Sequence, residues 1–222
     1  MREIVLDTET TGFKPEEGHR VVEIGCVELH NHLPTGLRRQ WYINPERDMP
    51  ADAFRVHGLS EEFLSQFPVF GNIVGEFLEF IGQSPLIIHN AVFDMKFLNA
   101  ELGRVKLPTL PMSRATDTVQ IARRKFPGAQ ASLDALCKRF GIDNSNRTLH
   151  GALLDAQLLA ECYIELLGGR QAGFDLVTAT KTQSVKRERQ FRSPRPHAPS
   201  PEELTAHEAL LKQLKSPIWL NA

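Results

Sequence analysis

Apolar runs of strand length lead the chain, alternate with helical patterns through its middle and then give way to helices. That order predicts an α/β architecture, a central sheet flanked by helices. The extent of the domain follows from composition. Regular apolar periodicity fills Met1–Gly169, whereas Thr178–Pro201 loses its large aliphatic residues after Val185 and fills with Lys, Arg, Ser and Pro, the make-up of a flexible linker that cannot bury a core. A third observation concerns carboxylates. Asp7, Glu9 and Asp94 fall where strand patterns stop, and open α/β sheets gather their functional groups at the carboxyl ends of strands.

Taken in order, Ile4-Val5-Leu6 is a short buried strand ending at Asp7, and Val21–Leu29 and Arg39–Ile43 are further strands. Phe70–Ile81 repeats apolar residues at Ile73, Val74, Phe77, Leu78 and Ile81, the spacing of an amphipathic helix. Pro85–His89 is the next apolar run. Ser132 can cap a helix that Gly141 ends, and Leu153–Leu167 is a long helix stopped by Gly168-Gly169. Beyond the linker, Glu202–Leu214 places Leu204, Ala206, Ala209, Leu210, Leu211 and Leu214 at helical spacing. A helix this short is marginal in water, so it is expected to form on a partner.

Charge narrows the function classes. Met1–Arg170 carries 18 Lys and Arg against 22 Asp and Glu, a net of −4, and Gln171–Ala222 carries 8 against 5, a net of +3. Bulk electrostatic capture of nucleic acid needs a basic surface, so the first region is expected to rely on a partner to hold DNA. Cys26, Cys137 and Cys162 are three, without metal-ligand spacing, which argues against a disulfide framework or a zinc site and for a reducing compartment. No apolar run approaches the roughly 20 residues that span a bilayer, and the amino terminus enters a strand pattern directly. The expected location is the cytoplasm.

The chemistry lies in three clusters: Asp7-Thr8-Glu9-Thr10-Thr11-Gly12, His89-Asn90-Ala91-Val92-Phe93-Asp94 and His150-Gly151-Ala152-Leu153-Leu154-Asp155. Asp7 and Glu9 stand two apart on an extended segment and so share a face. Four carboxylates and a histidine brought to one point make a metal-dependent phosphodiesterase. Oxygen ligands suit Mg²⁺ or Mn²⁺, and two such ions about 3.5–4 Å apart can serve an in-line displacement. His150 and Asp155, five apart, would diverge by about 140° on one continuous helix, so the histidine is expected just before the helix and Asp155 in its first turns. There the imidazole can swing toward an attacking water, and its ordinary pKa of about 6.5 suits general-base work.

These clusters resemble the three motifs of the DEDD exonuclease superfamily, in its histidine-bearing subgroup. Pro50–Gly58, Phe126–Gly128, Ser132–Cys137 and Asp143–Gln157 are similar to stretches of the epsilon proofreading subunits of bacterial DNA polymerase III, over roughly Met1–Gly169. The resemblance implies a ribonuclease H-like fold and 3′→5′ exonuclease activity on mispaired or single-stranded DNA ends, releasing deoxynucleoside 5′-monophosphates. It implies that Asp7 bridges two divalent cations, that Glu9 and Asp155 complete the tighter site, that Asp94 supports the second ion, and that His150 is the general base. Substrate contacts are expected at Asp7, Glu9, Thr10, Asp52, Val56, His57, Phe93 and Asp155, with Thr11 and Gly12 beside them. Val56, Phe93 and Asp52 have structural readings as well, as core or a turn cap. His89 and Asp117 read as supports of the catalytic loops.

The implied organisation is an exonuclease domain over 1–169, a clamp-binding segment over 170–177 with Gln171, Phe174 and Leu176 as anchors, a linker over 178–201, and a polymerase-binding segment over 202–222 with Trp219 as its aromatic anchor. An RNA-trimming exonuclease with the same catalytic residues is the nearest alternative reading. A replisome interaction module with incidental nuclease activity is another.

Overall fold

The computed structural model describes residues 1–147, 149–169 and 198–214. The chain divides into two compact units; the described part of the first ends at Gly169 and that of the second is one helix. Gln171, Phe174, Leu176 and Trp219 lie outside the described residues.

The first unit is built on one mixed sheet. Arg2–Thr10 (β1), Val21–His30 (β2) and Leu33–Tyr42 (β3) form an antiparallel meander, and Leu86–Ile88 (β4) and Ala115–Asp117 (β5) extend it in parallel, giving the order β3-β2-β1-β4-β5. Two short helices, Ala51–His57 (α1) and Glu61–Leu64 (α2), follow the meander. Phe70–Ile81 (α3) and Ala91–Arg104 (α4) cover one face of the sheet; Thr118–Lys125 (α5), Leu133–Phe140 (α6) and Ala152–Leu167 (α7) cover the other. Strand alternation sorts the core between these layers. Ile4, Leu6, Leu86 and Ile88 bury against α3 and α4, while Val5 and Ile87 bury against α5–α7.

Expected and observed boundaries differ where pairing overrides pattern. β1 does not stop at Asp7 but runs on to Thr10, because β2 goes on pairing with it through Asp7↔Gly25, Thr8↔Ile24 and Glu9↔Glu23. On its other side the parallel partner β4 ends at Val5↔Ile87, so Asp7 and Glu9 stand on an overhang. β3 starts at Leu33 rather than Arg39. A two-residue turn at Asn31 and His32, both at positive φ, sets its register, and its residues from Leu33 to Gln40 are exposed, leaving no alternation to read. α3 spans the expected residues. Ser132 caps α6 through the Ala135 amide, and left-handed Gly141 closes it.

All three thiols are free and buried, and Cys137 Sγ lies 3.6 Å from Cys162 Sγ between α6 and α7. In the second unit, Pro201–Gln213 forms α8. Ser200 and Pro201, expected in the linker, belong to the helix start: Ser200 and Glu203 make a capping box and Pro201 is the first helical residue. None of its residues is buried. Among the described residues no helix is long and apolar enough to cross a membrane.

Candidate active site

Strand parity does the first part of the work. Asp7 and Glu9 follow Val5 at two-residue steps and so face the α7 side, while Thr8 turns to the α4 side, where its hydroxyl donates to Asp94 Oδ1 at 2.8 Å. Asp94 is not at a strand end. It lies buried in the first turn of α4, reached by a sharp bend at Asn90, which holds a left-handed conformation with φ 67. Asp117 secures that bend, accepting the Asn90 amide at 3.2 Å while capping α5 through the Val119 amide at 2.8 Å. His89 Nδ1 meets Thr118 Oγ1 at 2.8 Å. His89 and Asp117 are thus the structural supports that the sequence suggests.

Asp155 is buried in the first turn of α7, and His150 precedes the helix by one residue, the extended N-cap Gly151. The helix is seated directly on the sheet. A Cβ at Gly25 would lie 2.3 Å from the Ala152 carbonyl group and the Leu153 nitrogen, so only glycine lets α7 approach β2 this closely. The segment before α7 is less free than expected. The His150 amide donates to the Val56 carbonyl at 3.0 Å, tying it to α1, while the imidazole remains half exposed.

Asp7, Glu9, Asp94, Asp155 and His150 converge on one cleft of about 930 Å³. Donor atoms of Glu9, His150 and Asp155 lie within 4.8 Å of one another, so His150 is near enough to ligate as well as to act as a base. Burial raises the Asp7 carboxyl well above its usual range, with Asp94, Glu9 and Asp155 adding repulsion. Glu9 is pushed up to about 8 by burial and then by Asp155, Glu23 and Asp94. Asp94 is raised to about 7, chiefly by burial, against the hydrogen bond from Thr8. Acids crowded in this way lack positive charge, and their hard oxygen donors fit divalent cations of the Mg²⁺ and Mn²⁺ type.

One cation of the chain already answers that lack. Arg147, without a sequence expectation of its own, places Nε 2.5 Å from Asp155 Oδ1 and Nη2 2.7 Å from Oδ2. Nη2 also lies 2.9 Å from His150 Nδ1, and Nη1 lies 2.8 Å from Asp134 Oδ1. The side chain is 8% exposed. Its signal in the sequence is no more than its place three residues before His150.

The cleft wall sorts the remaining expected contacts. Thr10 lines it with its hydroxyl donated to the Gly12 carbonyl at 2.6 Å. Thr11 and Gly12 line the same cleft, and the buried Thr11 hydroxyl accepts the Arg20 amide and meets His19. Val56 is exposed at the cleft, and Phe93 lines it while resting partly on the core against Phe97. His57 is buried, and burial holds it below the usual imidazole value. Its Nδ1 accepts the Leu59 amide at 3.0 Å, so the neutral ring carries its proton on Nε2, a buried atom that faces the Thr10 backbone without a hydrogen bond of regular geometry. Asp52 is exposed on α1 at the rim and paired with Arg55. Phe13, also without an expectation, stands 81% exposed at the same cleft.

The chain as a whole is similar to known proteins. The family model described as Exonuclease matches residues 4–163. A DNA polymerase III subunit epsilon from Rickettsia felis is 51% identical over 96% of this chain and 97% of its own length, and the one from Escherichia coli is 44% identical over 95% and 92%. Among solved structures, the nuclease domain of 3′hExo, a DEDDh family member bound to rAMP, superposes with a TM-score of 0.66 at 21% identity, covering 75% of this chain and 91% of that one. Exonuclease X in complex with 5′ overhanging duplex DNA gives 0.58 at 24%, covering 74% and 90%. At such identities these two establish the fold, a ribonuclease H-like exonuclease sheet. With the family model spanning most of the chain and these relatives matching nearly all of it, the chain belongs to the exonuclease family, among the epsilon subunits of DNA polymerase III.

Proposed function

We propose that this 3′→5′ exonuclease of the proofreading type uses Asp7, Glu9, Asp94 and Asp155 to hold two divalent cations, Mg²⁺ or Mn²⁺, and His150 as general base. The convergence of these five groups on one cleft, from β1, α4, α7 and the segment just before α7, carries the reading. Bound divalent cations neutralise charge on the attacking and leaving oxygens of an in-line phosphodiester displacement. His150, half exposed at the edge of the cleft, receives the proton of the attacking water. His57 packs against the terminal nucleotide from the cleft wall, Val56 and Phe93 flank the base, and the Thr10 segment and Asp52 approach the sugar and backbone. Stacking on an aromatic ring tolerates any base, as removal of any mispaired nucleotide requires.

The DNA polymerase III naming of its relatives supports assembly with the polymerase. We assign that contact to residues 202–222, where α8 exposes Leu204 and Leu210 and its C-cap Leu214 is exposed as well, with Trp219 as anchor, and we assign sliding-clamp contact to 170–177 through Gln171, Phe174 and Leu176. The domain over 1–169 carries the chemistry and 178–199, the expected linker less the two residues that start α8, serves as tether. The test uses single-stranded and 3′-mispaired DNA beside RNA of the same sequence. Chelator should abolish cleavage, Mg²⁺ or Mn²⁺ should restore it, and Asp7→Ala should remove nearly all turnover with the fold retained. Full activity in excess chelator overturns the metal reading. A strong preference for RNA returns the chain to an RNA-trimming role.

A further inference from the structure

We propose that Arg147 is an internal counter-cation that keeps both Asp155 and His150 out of service until a divalent cation displaces it. The inference rests on the reading of the four carboxylates as a metal site. Its guanidinium grips both oxygens of Asp155, at 2.5 and 2.7 Å, and these are the atoms that reading needs for an ion. A planar fork on a carboxylate is among the strongest charge-assisted pairs, and at 8% exposure little water screens it.

The same guanidinium also occupies the base. Arginine has only donors, so the 2.9 Å contact between Nη2 and His150 Nδ1 makes Nδ1 the acceptor. In the neutral ring the proton then sits on Nε2, and neither nitrogen is free to take one from water. One side chain therefore ties up a ligand and the base together, and one displacement frees both. Asp134 supplies the place for the displaced group. It holds Nη1 at 2.8 Å and is itself 60% exposed, so Arg147 can stay paired there after leaving Asp155.

The competing view is that Arg147 only aligns Asp155 for metal, and the two views predict opposite signs. Calorimetric titration of the full chain with Mn²⁺ should show Arg147→Met binding at least about tenfold more tightly than wild type, since both a competitor and a repelling charge are removed. Equal or weaker binding overturns the counter-cation role. Binding by neither protein overturns the metal site itself, and the proposal with it. A second measurement needs no variant: phenylglyoxal labelling of Arg147 in wild type, read by peptide mass, should be slow in chelator and several-fold faster in Mn²⁺. Labelling at the same rate in both also overturns the proposal.

Discussion

His150 sits where two chemistries are open to it, because its ring lies within ligand distance of Glu9 and Asp155 and yet is half exposed to water. A base and a ligand respond differently to removal. His150→Ala should lower turnover by about 10²–10⁴-fold while Mn²⁺ affinity changes little; a large loss of binding would make the histidine a ligand. The carboxylates add a pH signature. Glu9 and Asp94, raised to about 8 and about 7 in the metal-free fold, hold protons there that the unfolded chain has already released. Their contribution to stability is complete below the ordinary carboxylate range and is lost as pH rises through 7 to 8. The metal-free protein should therefore melt at a lower temperature at pH 8.5 than at pH 5.5, with Mn²⁺ recovering the loss at the higher pH. Thermal scans with and without chelator measure this, and a flat profile would refute it. Asp7, Glu9, Asp94, Asp155 and His150 were legible because each lies in a motif whose spacing has a chemical reason. Arg147 was not, because its partner depends on how α7 is seated, and no local pattern encodes that.

Elements were legible in proportion to how one-sided they are. α3 and α6 bury one face and carry local end signals, so periodicity and caps give them to within a residue. α1 buries only His57, and β3 exposes nearly every side chain, so neither shows a period. β1 gains its last three residues, Thr8 to Thr10, from pairing with β2, a non-local fact. The seat of α7 sets where Asp155 stands. Gly25→Ala forces a methyl into the backbone of Ala152 and Leu153, an overpacking that should cost about 1–3 kcal/mol or more. Because Asp155 rides on that first turn, Mn²⁺ affinity should fall with stability. Urea unfolding and Mn²⁺ titration of the same variant test the link; lost stability with intact metal binding would uncouple helix seat from site.

At the scale of the whole chain, the proposed catalytic groups and both cores belong to the first unit. Residues 1–169 alone should fold and digest short single strands about as fast as the full chain. During synthesis the truncated domain should fall far behind, since a tether raises local concentration toward the millimolar range. Equal performance in a primed synthesis assay would remove the tail from any tethering role. The capping box at Ser200 gives the tail helix a defined start, and residues along α8 are solvent-facing. The tail helix is open to site-specific labelling, because of the thiols. Every cysteine of the chain is buried in the first unit, and burial raises the thiols of Cys26, Cys137 and Cys162 above their ordinary range. The native chain should be silent to Ellman's reagent and report three thiols only when denatured. A cysteine introduced at exposed Ala206 then becomes the sole reactive handle, and a single dye placed there can follow the tail during proofreading without any native cysteine being removed.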